Sequence, residues 1–113
     1  MDNIVQFLKM MSDKNRIRIV VLLEQRPMCV CELAYILGVT QPSVSRHLKK
    51  MKTVNLIGDV KDGLWTNYFL IKDSDFFKKI RPCLKYWLRD EPIVKADLEK
   101  MKTVERTKIC CSK

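Results

Sequence analysis

The 113-residue chain lacks the sequence features that are typical of membrane proteins, enzymes and disordered chains. It contains no apolar run long enough to span a bilayer. Its first residues lack the basic start and apolar stretch of a signal peptide, so we expect a cytoplasmic protein without a membrane partner. One histidine, no Ser–His–Asp spacing and no glycine-rich phosphate loop give no basis for an enzyme. Three glycines and four prolines are too few for a disordered or repetitive chain.

Acidic residues are also scarce relative to basic ones. The chain has 22 Lys and Arg against 13 Asp and Glu, a formal net charge of +9. This excess favours a polyanionic partner, with nucleic acid first and an anionic membrane surface second. The five cysteines are odd in number, which excludes a fully paired monomer. In the cytoplasm we expect them to be free thiols, metal ligands or redox groups.

Apolar spacing predicts a mainly helical chain. The expected helices cover 3–11, then a segment from a Ser12 cap to Pro27, Cys29 or Val30 to Leu37, a segment from a Thr40 cap to about Val54, about 75–89, and Pro92 to about 104. Gly38 suits the left-handed position that ends the third helix. Pro82 falls inside the fifth helix, where it predicts a kink or a late start.

One short hairpin interrupts the helices. Its strands are predicted at about Leu56–Lys61 and Leu64–Leu70, and Asp62-Gly63 between them is typical of a two-residue type I′ turn. That turn would set Val60 opposite Trp65, and we expect Trp65 to pack within the hairpin rather than to act as a DNA wedge. Residues 1–104 are predicted to form one folded domain, and 105–113 a mobile polar tail.

Residues 33–52 combine a helix, a glycine-containing turn and a capped second helix, which is the helix-turn-helix arrangement. Val44, Leu48 and Met51 form the apolar stripe of the second helix, so its opposite side faces outward. That side carries amides and hydroxyls for base edges and cations for phosphates. The predicted DNA-binding residues are Gln41, Ser43, Ser45, Arg46, His47, Lys49 and Lys50, with Lys61 near the hairpin tip as a backbone contact.

The alternative for this helix is an ordinary amphipathic helix with a solvated basic face, which Lys49 and Lys50 alone would fit. Two features favour double-stranded DNA instead: no acidic residue lies between Gln41 and Lys52, and a hairpin follows the helix. His47 lies on the flank of the helix. Both a phosphate contact and simple packing beside the helix are open for its ring.

The chain resembles the ArsR/SmtB family of metal-responsive repressors, and within it the arsenical-resistance (ArsR) branch. The resemblance covers about 7–101, and its most specific pieces are CVCEL at 29–33 and SVSRHL at 43–48. It implies a homodimeric winged helix-turn-helix protein, mainly α with a small β-hairpin wing. The dimer would be built on the first and fifth helices and would bind an operator palindrome until a metal or metalloid binds.

The same resemblance carries residues onto the family's recognition helix, namely Gln41, Ser43, Ser45, Arg46 and His47. Two positions depart from the family pattern. Leu64 stands where the wing often has an arginine after the turn glycine, which puts wing contacts in doubt. Ala34 stands where the arsenic branch has its third cysteine, so that ligand must come from elsewhere.

Cys29 and Cys31 stand at the start of the third helix. In an intact helix residues two apart point about 200° apart, so the pair converges only if the first turn is frayed or extended. The positive helix N-terminus favours the thiolate, and soft thiolates select soft ions. As(III) or Sb(III) takes three thiolates, and Cys110 and Cys111 are the candidates for the third. Cys83 is expected to be a packed core thiol.

Several alternatives to an arsenic(III)-responsive repressor stay open. Cys29 and Cys31 could be buried apolar thiols, and the Cys110–Cys111 pair a remnant without function. A thiol redox switch would use disulfides within either pair. A cadmium or lead sensor is disfavoured, because family members of that kind have additional N-terminal cysteines and none precedes Cys29. A protein-interaction module without a DNA role is the last alternative. A lone histidine cannot build the family's His and carboxylate site for zinc.

Overall fold

The computed structural model describes residues 1–104, and Cys110 and Cys111 therefore lie outside the described residues. Within that span the predicted mainly helical chain with one hairpin is confirmed. The elements are α1 Asp2–Met11, α2 Lys14–Gln25, α3 Val30–Leu37, α4 Gln41–Thr53, β1 Ile57–Asp62, β2 Trp65–Leu70, α5 Asp75–Trp87 and α6 Pro92–Thr103. None of the helices in residues 1–104 has the length and apolar character to cross a bilayer.

The core is assembled from one side of each of the first five helices. Its fully buried side chains include Leu22 of α2, Leu33 of α3 and Phe77 of α5. The predicted stripe of α4 is confirmed, because Val44, Leu48 and Met51 are buried against this core. Burying an aliphatic or aromatic side chain contributes about 1.5–3 kcal/mol, so the stripe fixes which side of α4 faces outward.

The start of α2 differs from the prediction, because Asp13 and not Ser12 is its cap. The Asp13 carboxylate accepts a hydrogen bond from Arg16 N at 3.1 Å, while the Ser12 hydroxyl donates to Lys9 O at 2.7 Å. Ser12 therefore ends α1. A carboxylate is the stronger acceptor at the positive end of a helix, which explains why Asp13 takes the position.

The hairpin register also differs from the prediction. Asp62 pairs with Trp65, so the two turn residues are Gly63 and Leu64, and Val60 lies opposite Asn67 instead of Trp65. A type I′ turn needs positive φ at both central residues, and in this turn only Gly63 has it, at +63°. Glycine at the first central position is the pattern of a type II′ turn. The expected packing of Trp65 agrees with its half-buried side chain.

Met28 adds a third extended segment to the hairpin, which the sequence did not signal. Met28 N donates to Tyr68 O at 3.1 Å, and Tyr68 N donates to Met28 O at 2.8 Å. The pair forms an isolated antiparallel bridge to β2. The residue immediately before Cys29 is thereby tied to the hairpin.

Helix α5 contradicts the late start that Pro82 allowed and the packed core position expected for Cys83. The helix begins at Asp75 and includes Pro82, so there is no late start. Pro82 is exposed, where water can satisfy the carbonyl that loses its partner. Cys83 is exposed rather than a packed core thiol. Phe77 and Leu84 set the buried side of the helix, which turns Cys83 outward.

An ion pair between a half-buried arginine and a buried aspartate joins α2 to α6. Arg18 Nε donates to Asp97 Oδ2 at 2.8 Å and Arg18 Nη2 to Asp97 Oδ1 at 3.0 Å. Arg18 Nη2 also donates to Leu37 O, the last residue of α3, at 3.3 Å. The hydrogen bond with Asp97 raises the pKa of Arg18. The guanidinium therefore holds α2, α3 and α6 together.

Replacing Asp97 with Ala should lower the free energy of unfolding by about 2–3 kcal/mol, because the half-buried Arg18 would lose its counter-charge. Urea unfolding monitored by circular dichroism measures the change. Glu99→Ala is the matched control, since the exposed Glu99–Lys102 pair should contribute under about 1 kcal/mol. Equal losses in the two variants would contradict the role given to Asp97.

Candidate nucleic-acid interface and thiol site

The turn between α3 and α4 is built as the sequence indicates. Gly38 ends α3 with φ of +74°, and its N–H donates to Ala34 O at 2.9 Å. Thr40 then caps α4, because its hydroxyl accepts from Ser43 N at 3.3 Å. A left-handed glycine followed by a side-chain cap fixes the angle at which α4 leaves α3.

The outward side of α4 presents the predicted DNA-binding residues together. The exposed ones are Gln41, Ser45, Arg46, Lys49 and Lys50, and Ser43 and His47 are half-buried at the edge. Because the helix has no acidic residue, its outward side combines hydrogen-bonding groups with uncompensated positive charge. Such a surface suits the polyanionic wall of a DNA groove.

His47 is held by a residue that the sequence analysis did not single out. Arg16 Nη1 lies 3.2 Å from His47 Nδ1. A guanidinium can only donate, so Nδ1 accepts and the neutral ring carries its proton on Nε2. Burial lowers the pKa of His47, and Arg16, Lys50 and Arg46 lower it further against the opposing effect of Asp13. The ring is therefore neutral at pH 7, with Nε2–H as a donor.

Arg16 also closes the end of α1. Its Nε donates to Met10 O at 2.7 Å and its Nη2 to Lys9 O at 3.4 Å. Burial raises the pKa of Asp13, but the hydrogen bond from Arg16 N and the positive charge of Arg16 outweigh it, and the pKa is lowered overall. The sequence does contain one signal for this role of Arg16. A cation in the first turn of a helix opposes the helix dipole, so its presence there indicates a specific partner.

The hairpin is tethered to the end of α4. Lys52 Nζ donates to Asp59 Oδ2 at 2.8 Å, and this hydrogen bond raises the pKa of Lys52. Lys61 is exposed near the hairpin tip, opposite Thr66, and Leu64 at the tip itself is 76% exposed. The hairpin therefore stands beside α4 as a wing, with Lys61 free to reach a DNA backbone.

The structure places Cys29 just outside α3. Cys29 is the N-cap residue, with an extended backbone and only 2% of its surface exposed. Cys31 lies in the first turn and is half-buried. The 200° separation of residues two apart in a helix does not apply to this pair, because Cys29 lacks helical backbone angles. Cys29 therefore lies outside the helical turn that contains Cys31.

Cys29 takes part in a capping box with Glu32. The buried Glu32 carboxylate accepts from Cys29 N at 3.0 Å, and the Cys29 side chain accepts from the Glu32 backbone N–H. Arg26 Nη1 donates to Glu32 Oε2 at 3.0 Å and supplies the counter-charge. The thiol of Cys29 thus stabilises the start of α3 in the absence of any ion.

The donor chemistry at this site fits a thiophilic ion only in part. Two thiols stand at the helix start, and residues 1–104 contain no group of three or more His, Cys, Asp or Glu side chains placed to hold a metal ion. Ala34 occupies the family's third cysteine position and is buried. A three-thiolate site would therefore need a sulfur from outside residues 1–104 or from a second chain.

The cysteine pair and α4 lie in a segment that matches a known family of regulatory proteins. The family model described as bacterial regulatory protein, arsR family, matches residues 13–58. That span contains α2, α3 and α4, and with them the cysteine pair and the outward side of α4.

Three curated relatives extend the comparison. The arsenical resistance operon repressor of Escherichia coli K12 is 40% identical over 58% of this chain and 57% of its own length. The cadmium resistance transcriptional regulatory protein CadC of Listeria innocua is 35% identical over 57% and 55%. An uncharacterised helix-turn-helix-type transcriptional regulator of Methanocaldococcus jannaschii is 33% identical over 60% and 78%. The chain spans about half the length of the first two.

Solved structures show the same fold. HlyU from Vibrio cholerae N16961 superposes with a TM-score of 0.69 at 25% identity, covering 79% of this chain and 95% of that one. A homodimeric winged helix-turn-helix DNA-binding domain from Mycobacterium bovis superposes with a TM-score of 0.65 at 18% identity, covering 80% and 86%. The predicted winged helix-turn-helix fold is thus confirmed.

Proposed function

The chain belongs to the arsR family of bacterial regulatory proteins, and from this premise we propose that it is a cytoplasmic transcriptional repressor that binds operator DNA as a homodimer and is released by As(III) or Sb(III). One observation carries the proposal. The Cys29 and Cys31 thiols stand at the start of α3, and α3 passes through the Gly38 turn directly into α4 with its exposed basic side.

The DNA-binding half of the proposal gives each side chain of α4 a role. Gln41 and Arg46 have the groups that pair with adenine and guanine in the major groove. Ser43 and Ser45 add hydroxyl contacts, while Lys49 and Lys50 neutralise phosphates. His47 offers its Nε2–H to a phosphate, and Lys61 on the wing reaches the neighbouring backbone. A two-fold dimer would place two such helices about 34–36 Å apart, in successive major grooves.

Exposed apolar side chains support a second copy as partner. Val5 and Leu8 on α1 are 41% and 51% exposed, and Tyr86 and Trp87 on α5 are 62% and 61% exposed. The ring centroids of Phe7 on α1 and Phe76 in the first turn of α5 lie 5.2 Å apart, so α1 packs beside the start of α5. Exposed apolar patches of this kind mark association surfaces. We assign this one to the dimer, which would also cover Cys83.

Tyr86→Glu combined with Trp87→Glu should convert the dimer to a monomer, because two charges would have to be buried in the interface. In sedimentation velocity the wild type should migrate at twice the 13.3 kDa chain mass and the variant at one chain mass. Leu64→Glu, at the exposed wing tip, should stay dimeric. A wild-type monomer, or a variant that remains a dimer, would contradict this assignment.

The sensing half of the proposal starts from the cap of α3. A Cys29 sulfur bound to an ion no longer accepts the Glu32 N–H, and a lost N-cap costs about 1 kcal/mol. Movement of Cys29 also pulls on Met28, which is hydrogen-bonded to Tyr68 in the wing. Ion binding would thereby favour a conformation of α3 and wing that fits DNA poorly, and the coupling is reciprocal.

We propose that Cys110 or Cys111, from the same chain or its partner, supplies the third sulfur ligand. As(III) and Sb(III) would take Cys29, Cys31 and one of these sulfurs. A cadmium- or lead-responsive repressor is the second candidate, favoured by the likeness to the Listeria protein that is named for cadmium resistance. A thiol redox switch of the same fold would use the same cysteines.

Selection from random duplexes tests the DNA-binding half directly. We expect enrichment of a palindrome and a binding constant that falls steeply with salt, as counterion release requires. Enrichment of no sequence, together with salt-independent binding, would contradict the proposal and favour a protein-interaction module.

A further inference from the structure

A groove between α1 and α4 lies at the edge of the surface already assigned to DNA. Its volume is about 380 Å³, and its lining residues are Gln6, Lys9, Met10, Arg16, Lys50, Thr53 and Val54. The proposed DNA-binding set includes only Lys50 among these. The groove therefore brings a helix outside the helix-turn-helix next to the recognition helix.

Positive charge exceeds negative charge in this groove, although the Asp13 carboxylate interacts with Arg16 from outside its lining. Lys9, Arg16 and Lys50 contribute three cations, and no acidic residue lines it. Among the ion pairs formed within residues 1–104, none joins these three side chains to a carboxylate. Asp13 accepts from the backbone N–H of Arg16. Three like charges around one groove repel one another and attract an anion.

Arg16 is held in place with donors left over. Three of its five N–H groups are used, by Met10 O, Lys9 O and His47 Nδ1. Two N–H groups remain, and the exposed ammonium groups of Lys9 and Lys50 and the amide of Gln6 add further donors. A phosphate group is the ligand that accepts from several cationic donors at once.

We propose that this groove binds a backbone phosphate of the operator, so that α1 forms part of the DNA interface. The inference rests on the proposed operator binding. Lys50 follows His47 by three residues and so lies on the same flank of α4. The flank of a helix inserted in the major groove faces the phosphate backbone and not the bases, which favours DNA over a free anion as the source of the phosphate.

Lys9→Gln tests the inference by removing one charge outside the helix-turn-helix. For each of the two grooves of the dimer, the affinity for operator and for random duplexes should fall about five- to tenfold at about 0.1 M salt. The slope of log affinity against log salt should become shallower by about 0.9 for each groove. Lys95→Gln on α6, an exposed lysine with the same charge change, should leave both unchanged. Neutral methylphosphonates along the operator backbone should show one position in each half-site that weakens the wild type more than it weakens Lys9→Gln.

The outcomes separate this inference from the proposed function. A wild type that binds its operator while Lys9→Gln matches Lys95→Gln in affinity and slope overturns the inference alone. A wild type that selects no DNA overturns both. Millimolar inorganic phosphate at constant ionic strength tests whether the groove binds free phosphate instead. In that case phosphate should raise the melting temperature of the wild type but not of Lys9→Gln, and the two proteins should show the same salt slope for DNA binding. This result would overturn the DNA assignment.

Discussion

Arg46→Ala should weaken operator binding by about 100-fold. Arg46 is exposed on the outward side of α4, and no acidic residue of this helix can form an ion pair with it. A bidentate contact between arginine and guanine contributes about 1–3 kcal/mol, and a two-fold dimer loses the contact twice. Fluorescence anisotropy with a labelled operator duplex measures the loss.

Two further variants separate the base contact from charge. Arg46→Lys keeps the charge but loses the planar fork, so it should retain the salt slope while binding the operator more weakly. Lys95→Ala removes a cation from α6 and should bind as the wild type does. Unchanged operator affinity in Arg46→Ala would remove α4 from its role as the recognition helix.

Cys29→Ser combined with Cys31→Ser should bind operator normally but lose its response to arsenite. Serine is among the preferred N-cap residues, so Ser at 29 can replace the capping role of the thiol and keep α3 in place. Hydroxyl groups do not bind As(III) as thiolates do. The arsenite concentration needed to release half of the bound DNA should rise by about 100-fold, in line with the loss of two of three ligands.

Cys83→Ser is the matched control, because Cys83 lies outside the proposed ligand set and serine has nearly the same size at the proposed dimer surface. It should release DNA at the wild-type arsenite concentration. Release of the double Cys29, Cys31 variant at that same concentration would move the sensing site elsewhere, and Cys110 and Cys111 would be next to replace.

Local rules were enough to predict most of the fold and the outward side of α4. Gly38, Thr40 and the stripe of Val44, Leu48 and Met51 all lie within one continuous segment, 38–51, so helical periodicity and capping chemistry decide them. The errors are local as well, at positions where two neighbours compete. Ser12 and Asp13 both can cap, and both Asp62-Gly63 and Gly63-Leu64 can form a two-residue turn.

Long-range partners could not be predicted from the sequence. Arg16 meets His47 across 31 residues, and Arg18 meets Asp97 across 79. The Met28–Tyr68 bridge likewise forms only when the wing folds back onto the segment before α3. Periodicity gives the buried side of each helix but not which helices meet, so the groove between α1 and α4 could be found only from the structure.

Release of operator DNA by arsenite under strong reductant tests the central claim most directly, namely that binding of As(III) or Sb(III) to this protein dissociates it from its operator. The anisotropy of a preformed complex should fall to that of free DNA as arsenite or antimonite is added. A complex that resists arsenite but is released by cadmium would contradict the metalloid assignment. Release only by an oxidant would show that the cysteines act as a redox switch.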